Sequence, residues 1–162
     1  MSLDQEMRRR VARYTDRRED WNVFGFETKI DPKYARSQRR YVGESGSVEH
    51  KQTTAVQPVA FTMSIQTMPA GNQIPAHCHE TEETFFILDG ECTVNVFRDG
   101  EVFSAKLGKW DLISIPADVY HDIKNDSNKP CAIQTLLSKP QPNRPHYQDQ
   151  RLLDLQAATH TG

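Results

Sequence analysis

The feature that most constrains this chain is a two-residue period in hydrophobicity, interrupted by turn residues at short intervals. Between Val59 and Gln66, larger apolar side chains alternate with small or polar ones, which is the pattern of a strand with one buried face. Later in the chain Asp99-Gly100 is a strong hairpin signal, because glycine accepts the positive φ of a primed turn. Many short strands joined by tight turns predict an antiparallel, all-β sandwich or barrel.

The regions that flank these strands differ from them in pattern. The 162 residues fit one domain, which we divide into an extension over 1–46, a barrel over 47–140 and a tail over 141–162. The extension carries an apolar stripe at helical spacing, which predicts a short helix that packs on the barrel or on a partner subunit; its residues are Leu3, Met7, Val11 and Tyr14. Residues 36–46 are polar and predict a connector, and the tail predicts irregular structure with a short helix over 149–155.

Composition excludes several classes of function. The 20 Lys and Arg residues against 22 Asp and Glu residues give no reason to expect a nucleic-acid or membrane partner. The chain has neither an apolar run of about 20 residues nor a signal-peptide core, so we expect a soluble, cytoplasmic protein. Three cysteines in a chain of this size argue against a disulfide framework.

Three histidines and one glutamate stand at spacings that suit a metal ion. Residues two apart on a strand share a face, so His77 and His79 are expected to project into the same space. A turn over the next three residues lets Glu83 enter a neighbouring strand beside them, and His121 begins a later strand as the fourth ligand. A lone histidine is more often structural, but four such groups buried together are satisfied at once by a divalent ion.

The pattern Gly71-x5-His77-x-His79-x3-Glu83-x6-Gly90 resembles the first motif of the cupin superfamily, spacing for spacing. The second motif is matched in Pro116-x4-His121-x3-Asn125, but Trp110 and Asp118 replace two of its usual glycines. The resemblance implies a jelly-roll β-barrel over roughly residues 55–138. It also implies one divalent metal inside the barrel, held by His77, His79, Glu83 and His121.

The donor set leaves the metal open and indicates a catalytic site. Three imidazoles and one carboxylate suit Fe(II), Mn(II), Co(II), Ni(II) or Zn(II) alike. Four protein ligands on an octahedral ion leave two positions for a substrate, whereas structural sites are usually closed and rich in cysteine. We therefore expect a small-molecule substrate at the metal.

The residues around the ligands complete the predicted site. Residues that share the ligand face are candidates for an apolar pocket wall, although ordinary core packing is the alternative for most of them; they are Phe61, Met63, Phe85, Ile87 and Ile123. Glu83 is a candidate proton acceptor if it loosens from the ion. Tyr120, or else Asp118, is a candidate acid or base at the mouth.

Three functions remain open at this point. The first is an Fe(II) or Mn(II) oxygenase, similar to a dioxygenase, that acts on a chelating enol, catechol or keto acid. The second is a non-redox, metal-dependent lyase or isomerase, and the third is a non-catalytic metal- or ligand-binding protein. Phe86 and Leu88 alternate with the ligand face and need cover, which predicts a homodimer.

Overall fold

The computed structural model describes residues 1–43 and 56–159; the expected boundary between 46 and 47 lies outside these residues. Two helices and ten strands are present in the described part, together with three single 3-10 turns. In chain order they are α1 (Leu3–Arg8), turns at Tyr14–Asp16, Glu27–Lys29 and Pro32–Tyr34, β1 (Ser37–Val42), β2 (Thr62–Met68), β3 (Gln73–Cys78), β4 (Glu83–Asp89), β5 (Glu91–Arg98), β6 (Glu101–Gly108), β7 (Leu112–Ile115), β8 (Tyr120–Lys124), β9 (Cys131–Leu137), β10 (His146–Tyr147) and α2 (Gln150–Ala158).

The strands form two five-stranded antiparallel sheets that face each other. One has the order β1-β2-β9-β4-β7 and the other the order β10-β3-β8-β5-β6. Successive strands mostly alternate between the sheets, and the Asp99-Gly100 hairpin joins β5 to β6 with both residues at positive φ. The all-β prediction and its jelly-roll form are therefore confirmed.

The core lies between the sheets and is built from alternate residues of each strand. β4 and β9 show this most clearly, because every second residue is buried over most of their length. A hydrophobic cluster fills the space below the predicted ligands: Met68, Ile74, Phe85, Ile87, Cys92, Val94, Leu107, Ile115, Ile123, Cys131 and Ile133. The three cysteines are free.

The flanking regions contribute more to the sheets than their composition predicts. The supposed connector over 36–46 contains β1, which pairs with β2, and the supposedly irregular tail contains β10, which pairs with β3. The tail helix begins after its N-cap, Asp149, and buries Leu152 completely. Backbone hydrogen bonds to an exposed strand edge, rather than a run of apolar residues, specify these additions, so alternation alone does not find them.

The N-terminal stripe is largely exposed within this chain, so its packing on a partner subunit stays a prediction. α1 ends at Arg8 and buries none of its residues. The four stripe residues are between 47% and 75% exposed in this chain: Leu3, Met7, Val11 and Tyr14. Phe86 is only half-buried and stacks against Trp110 with ring centroids 5.8 Å apart, and the homodimer stays a prediction.

A buried polar network closes the barrel beside β1 and β10. Arg36 and Glu27 are 3% and 0% exposed and form a two-pronged ion pair, with Arg36 Nη1 2.5 Å from Glu27 Oε2. The hydroxyl of Tyr147 donates to the same carboxylate at 2.6 Å, and Arg36 Nε donates to Gln66 Oε1 at 2.9 Å. Removing one member of such a pair typically costs ~3–5 kcal/mol, because the other charge is left buried. The network thus ties both flanking regions to the two sheets.

No helix among the described residues is long and apolar enough to cross a membrane.

Two turns at positive φ separate backbone strain from steric overlap. A Cβ on Gly90 would lie 2.5 Å from the carbonyl oxygen of Pro130, whereas a Cβ on Gly100 would meet no atom within 4 Å. We expect Gly90→Ala to lower the free energy of unfolding by ~2–5 kcal/mol, from strain plus overlap, and Gly100→Ala by about 1–2 kcal/mol from strain alone.

Urea unfolding of the two variants and the wild type checks this. Equal losses at the two positions would contradict the close approach of Gly90 to the β9 backbone.

Candidate metal centre

The four predicted ligands come from both sheets and meet between them. His77 lies near the end of β3 and His121 near the start of β8, where they are direct cross-strand partners. His79 follows β3 directly, and Glu83 is the first residue of β4. Because β3 and β4 belong to different sheets, Glu83 faces the histidines across the interior rather than from a neighbouring strand. The sequence-based expectation is corrected on this point.

The donor atoms converge on one carboxylate oxygen. Glu83 Oε2 lies 3.1 Å from His121 Nε2, 3.5 Å from His77 Nε2 and 3.6 Å from His79 Nε2. The donor atoms of His77, His79 and Glu83 all lie within 4.8 Å of one another. All four side chains are buried. The structure therefore brings together every residue of the predicted ligand set.

These distances fit a bound first-row metal ion. Ligand atoms at ~2.1 Å from an ion lie about 3.0 Å apart when adjacent in an octahedron and about 3.4 Å apart in a tetrahedron. His77 Nδ1 lies 2.8 Å from the carbonyl oxygen of Pro75, and His121 Nδ1 lies 3.0 Å from that of Val119. With a metal bound, donation from Nδ1 to these carbonyls would leave each Nε2 lone pair free to bind the ion, which is the arrangement that supports metal-binding histidines.

The charges of the site also suit a cation. Burial alone would raise the pKa of Glu83, but hydrogen bonds to His121 and His77 outweigh this and hold it well below its ordinary value. Burial lowers the pKa of His79, although the charge of Glu83 opposes that shift. An ionised carboxylate beside a histidine that resists protonation is competent to bind metal at neutral pH, because protonated ligands must first lose their protons.

Three of the predicted pocket-wall residues, Phe85, Ile87 and Ile123, are buried, whereas Phe61 and Met63 are not. Phe85 packs against His121 with ring centroids 5.5 Å apart. Ile87 and Ile123 are fully buried in the core cluster, which favours the core-packing alternative for both. Phe61 is 39% exposed and lies before β2.

Met63 lies on the wrong face of β2. Ser64 is the cross-strand partner of Thr135, which is in turn the partner of Phe85, so Ser64 shares the interior face and Met63 does not. In β2 the buried positions are Thr62, Ser64, Gln66 and Met68. Strand β2 turns its polar residues inward, which reverses the usual reading of the alternation, and Phe61 and Met63 are corrected accordingly.

Tyr120 lies on the outer face of β8. It directly precedes His121, so alternation turns it away from the ligands, and its hydroxyl lies 2.7 Å from His146 Nδ1. The side chain expected as an acid or base at the mouth thus points away from the ligands, as the alternation in the sequence already indicated. The backbone N–H of Asp118 donates to the carbonyl oxygen of His79 at 2.7 Å. Asp118 thus braces a ligand through its backbone.

A groove beside the centre was not predicted. It has a volume of about 540 Å³ and lies between the edge strands β6 and β7. Two of its lining residues are cross-strand partners of ligands within the same sheet: Ile115 pairs with Glu83, and Val96 pairs with His121. Its other apolar lining residues include Val102, Phe103, Ile113 and Val119. Only the strand register reveals that these residues adjoin the ligands.

Comparison with known proteins gives a consistent picture. Residues 64–137 match the family model described as a cupin domain. The chain is 43% identical over 53 residues to an acireductone dioxygenase of Tuber melanosporum and 44% identical over 45 residues to one of Leptospira biflexa. These matches span 32% and 28% of this chain and only 31% and 25% of the relatives.

Among solved structures, the fold is similar to oxalate decarboxylase from Bacillus subtilis, with a TM-score of 0.57 and 15% identity over 71% of this chain and 28% of that one. It is also similar to Peruvianin-I, described as a cysteine peptidase from Thevetia peruviana latex, with a TM-score of 0.57 and 15% identity over 68% of this chain and 65% of that one. At this level of identity the likeness concerns the fold.

The ligand set predicts a specific pattern of metal binding. We expect Co(II) to bind the wild type and raise its unfolding temperature, since a ligand at 100 times its Kd adds ~2.7 kcal/mol. His121→Ala removes one donor and should weaken Co(II) binding by at least about 100-fold.

Isothermal titration calorimetry measures the Kd of Co(II) for the wild type and for His121→Ala, and thermal unfolding with and without Co(II) measures the unfolding temperature. His146→Ala is the matched control, because His146 is exposed on the outer face; equal losses in the two variants would rule out the proposed centre.

Proposed function

We propose that this chain, whose residues 64–137 match a family model described as a cupin domain, is a metal-dependent enzyme that oxygenates a small molecule. The substrate class that the site fits best is a chelating enol, catechol or keto acid. The observation that carries the proposal is the convergence of three imidazole Nε2 atoms on one oxygen of Glu83 within 3.6 Å.

The matches to acireductone dioxygenases support an oxygenase in general. They cover less than a third of each relative, so substrate and products are part of the proposal. The donor set adds support, because nitrogen and oxygen ligands without a thiolate are typical of catalytic sites that keep positions open. Cys78, which alternates with His77 and His79, does not belong to the cluster of donor atoms.

The residues of the chain divide the work of such a reaction. A bound Fe(II) or Mn(II) ion would supply Lewis acidity and redox capacity. His77, His79 and His121 hold the ion while their burial excludes bulk water, which strengthens electrostatic interactions in the site. The groove beside Ile115 and Val96 has apolar lining residues next to the ligands and the charged residues Arg98 and Glu101 elsewhere, and its apolar part suits the less polar part of a substrate.

Glu83 acts mainly as a ligand in this proposal. Its lowered pKa makes it a weak proton acceptor while it remains bonded to the imidazoles. A role as base therefore requires that it first move away from His121 and His77. Tyr120 takes no part, because its hydroxyl is engaged with His146 on the outer face.

Oxygen uptake tests the proposal. Protein loaded anaerobically with Fe(II) or Mn(II) is mixed with oxygen and a panel of 1,2-diketones, catechols and keto acids, and we expect at least one class to be consumed together with oxygen. His121→Ala should reduce the rate by at least about 100-fold, whereas His146→Ala should leave it unchanged.

An oxygen electrode and mass spectrometry of the products provide the measurement. Substrate turnover without oxygen consumption would replace this function by a non-redox lyase or isomerase. Metal binding with no turnover of any class would favour a binding protein.

A further inference from the structure

A second arginine, Arg40, faces the interior of the barrel and, among the described residues, lacks the carboxylate partner that Arg36 has. Arg40 lies on β1 as the cross-strand partner of Ser64, a residue of the interior face. Ser64 is the cross-strand partner of Thr135, and Thr135 is the partner of Phe85. The Arg40 side chain therefore shares the face that carries Phe85 and Glu83. Its neighbour Arg39 points the opposite way and pairs with Glu19.

The hydrogen-bonding capacity of Arg40 is largely unused. Among the described residues, its buried Nε has no hydrogen-bond partner, and its Nη2 donates to the side-chain oxygen of Gln38 at 3.3 Å. Within residues 1–43 and 56–159, no carboxylate lies at salt-bridge distance from Arg40. Burial lowers the pKa of Arg40 to about 10, in line with a charge that lacks a compensating acid.

Two buried acids lie on the N-terminal segment, and neither forms an ion pair with Arg40 in the described residues. Glu27 is held by Arg36 and Tyr147. Asp20, on the segment that pairs with Gln38, accepts a hydrogen bond from the backbone of Asn22. Arg17 Nη1 donates to the backbone carbonyl oxygen of Arg40 at 3.3 Å.

Thr62 provides a second unsatisfied group between Arg40 and the metal centre. It pairs with Leu137, which pairs with Glu83, so Thr62 and Glu83 share one row of the interior face. The Thr62 hydroxyl is buried and has no hydrogen-bond partner in the described residues. Its methyl group packs on Gly43, where a Cβ would lie 2.7 Å from Thr62 Cγ2. Gly43 therefore leaves room for the threonine beside the pocket.

The position of Arg40 suits the far end of a small ligand. β1 and β4 are separated by three strand spacings, or about 14 Å along the sheet, and both side chains lie on the interior face of that sheet. A divalent ion with three neutral imidazoles and one carboxylate keeps one net positive charge, and Arg40 adds another. Such a pocket favours a ligand with more than one negative group.

Resting on the proposed function, we propose that Arg40, assisted by Thr62, forms an anion subsite that binds a carboxylate of the substrate opposite its metal-chelating group. The substrate class narrows to chelators that carry a separate carboxylate or similar oxyanion. The guanidinium offers two parallel donors, the geometry that carboxylates prefer.

A pair of probes isolates the distal carboxylate. Catechol and 3,4-dihydroxybenzoate share the chelating diol, and only the second carries the acid. Their Kd values are measured by anaerobic calorimetry on Co(II)-loaded protein. We expect the wild type to bind 3,4-dihydroxybenzoate more tightly, and Arg40→Gln to weaken that ligand by about 10- to 100-fold while changing the Kd of catechol by less than about threefold.

Two variants control for other effects. Arg39→Gln removes an arginine from the outer face of the same strand and should change neither Kd. Arg40→Lys keeps the charge and should retain part of the preference for the acid. The unfolding temperature of Arg40→Gln should stay equal to that of the wild type or rise, because no ion pair within the described residues is broken.

The outcomes separate this inference from the function on which it rests. If catechol binds the Co(II)-loaded wild type and Arg40→Gln leaves both Kd values unchanged, or weakens both equally, the anion subsite is wrong and the metal centre stands. If neither probe binds in a Co(II)-dependent way, the chelating function is itself overturned. A loss of several degrees in the unfolding temperature of Arg40→Gln would assign a structural role instead.

Discussion

The buried carboxylate of Glu83 is the group on which this barrel depends. An ionised acid in a protein interior is costly unless charge or hydrogen bonds compensate it. Here the compensation comes from three imidazoles, two on strands of the opposite sheet and one, His79, directly after β3. The arrangement requires β3, β4 and β8 to hold their register, because a shift by one residue turns every side chain to the other face. The geometry of the centre and the packing of the two sheets therefore depend on each other.

The flanking segments also contact the strands that carry the ligands. Tyr147 of β10 is the cross-strand partner of His77, and its hydroxyl reaches Glu27, which holds Arg36. A chain of polar contacts thus runs from the first ligand through the tail and the N-terminal segment to Gln66 inside the barrel. The part of the interior that the hydrophobic core cluster fills is apolar, whereas the side next to β1 and β2 is polar.

Much of this was present in the sequence, and the failures have physical reasons. The ligand set followed from strand periodicity and spacing, and Asp99-Gly100 was identified by its turn chemistry. Met63 was misplaced because Thr62, Ser64 and Gln66 are polar yet buried, so hydrophobicity pointed to the wrong face. Tyr120 was misplaced although its position next to His121 turns it outward. Strands β1 and β10 were missed because backbone pairing to an open edge leaves little trace in composition, and Arg40 could be found only from the register of β1 on β2. Trp110 and Asp118 adopt φ values of 74° and 61°, so the left-handed turns persist where the motif that this sequence resembles has glycines.

The latch between Glu27 and Tyr147 bears on how a minimal version of this protein should be cut. A fragment trimmed to the borders of the family match, 64–137, would retain all four donor side chains and lose β1, β10 and the latch. Gln66 would then face an empty flank without Arg36, and His77 would stand on an edge strand open to pairing with other molecules. Such a fragment would be prone to self-association, so a shortened gene for crystallisation or directed evolution should extend from before Glu27 to beyond Tyr147.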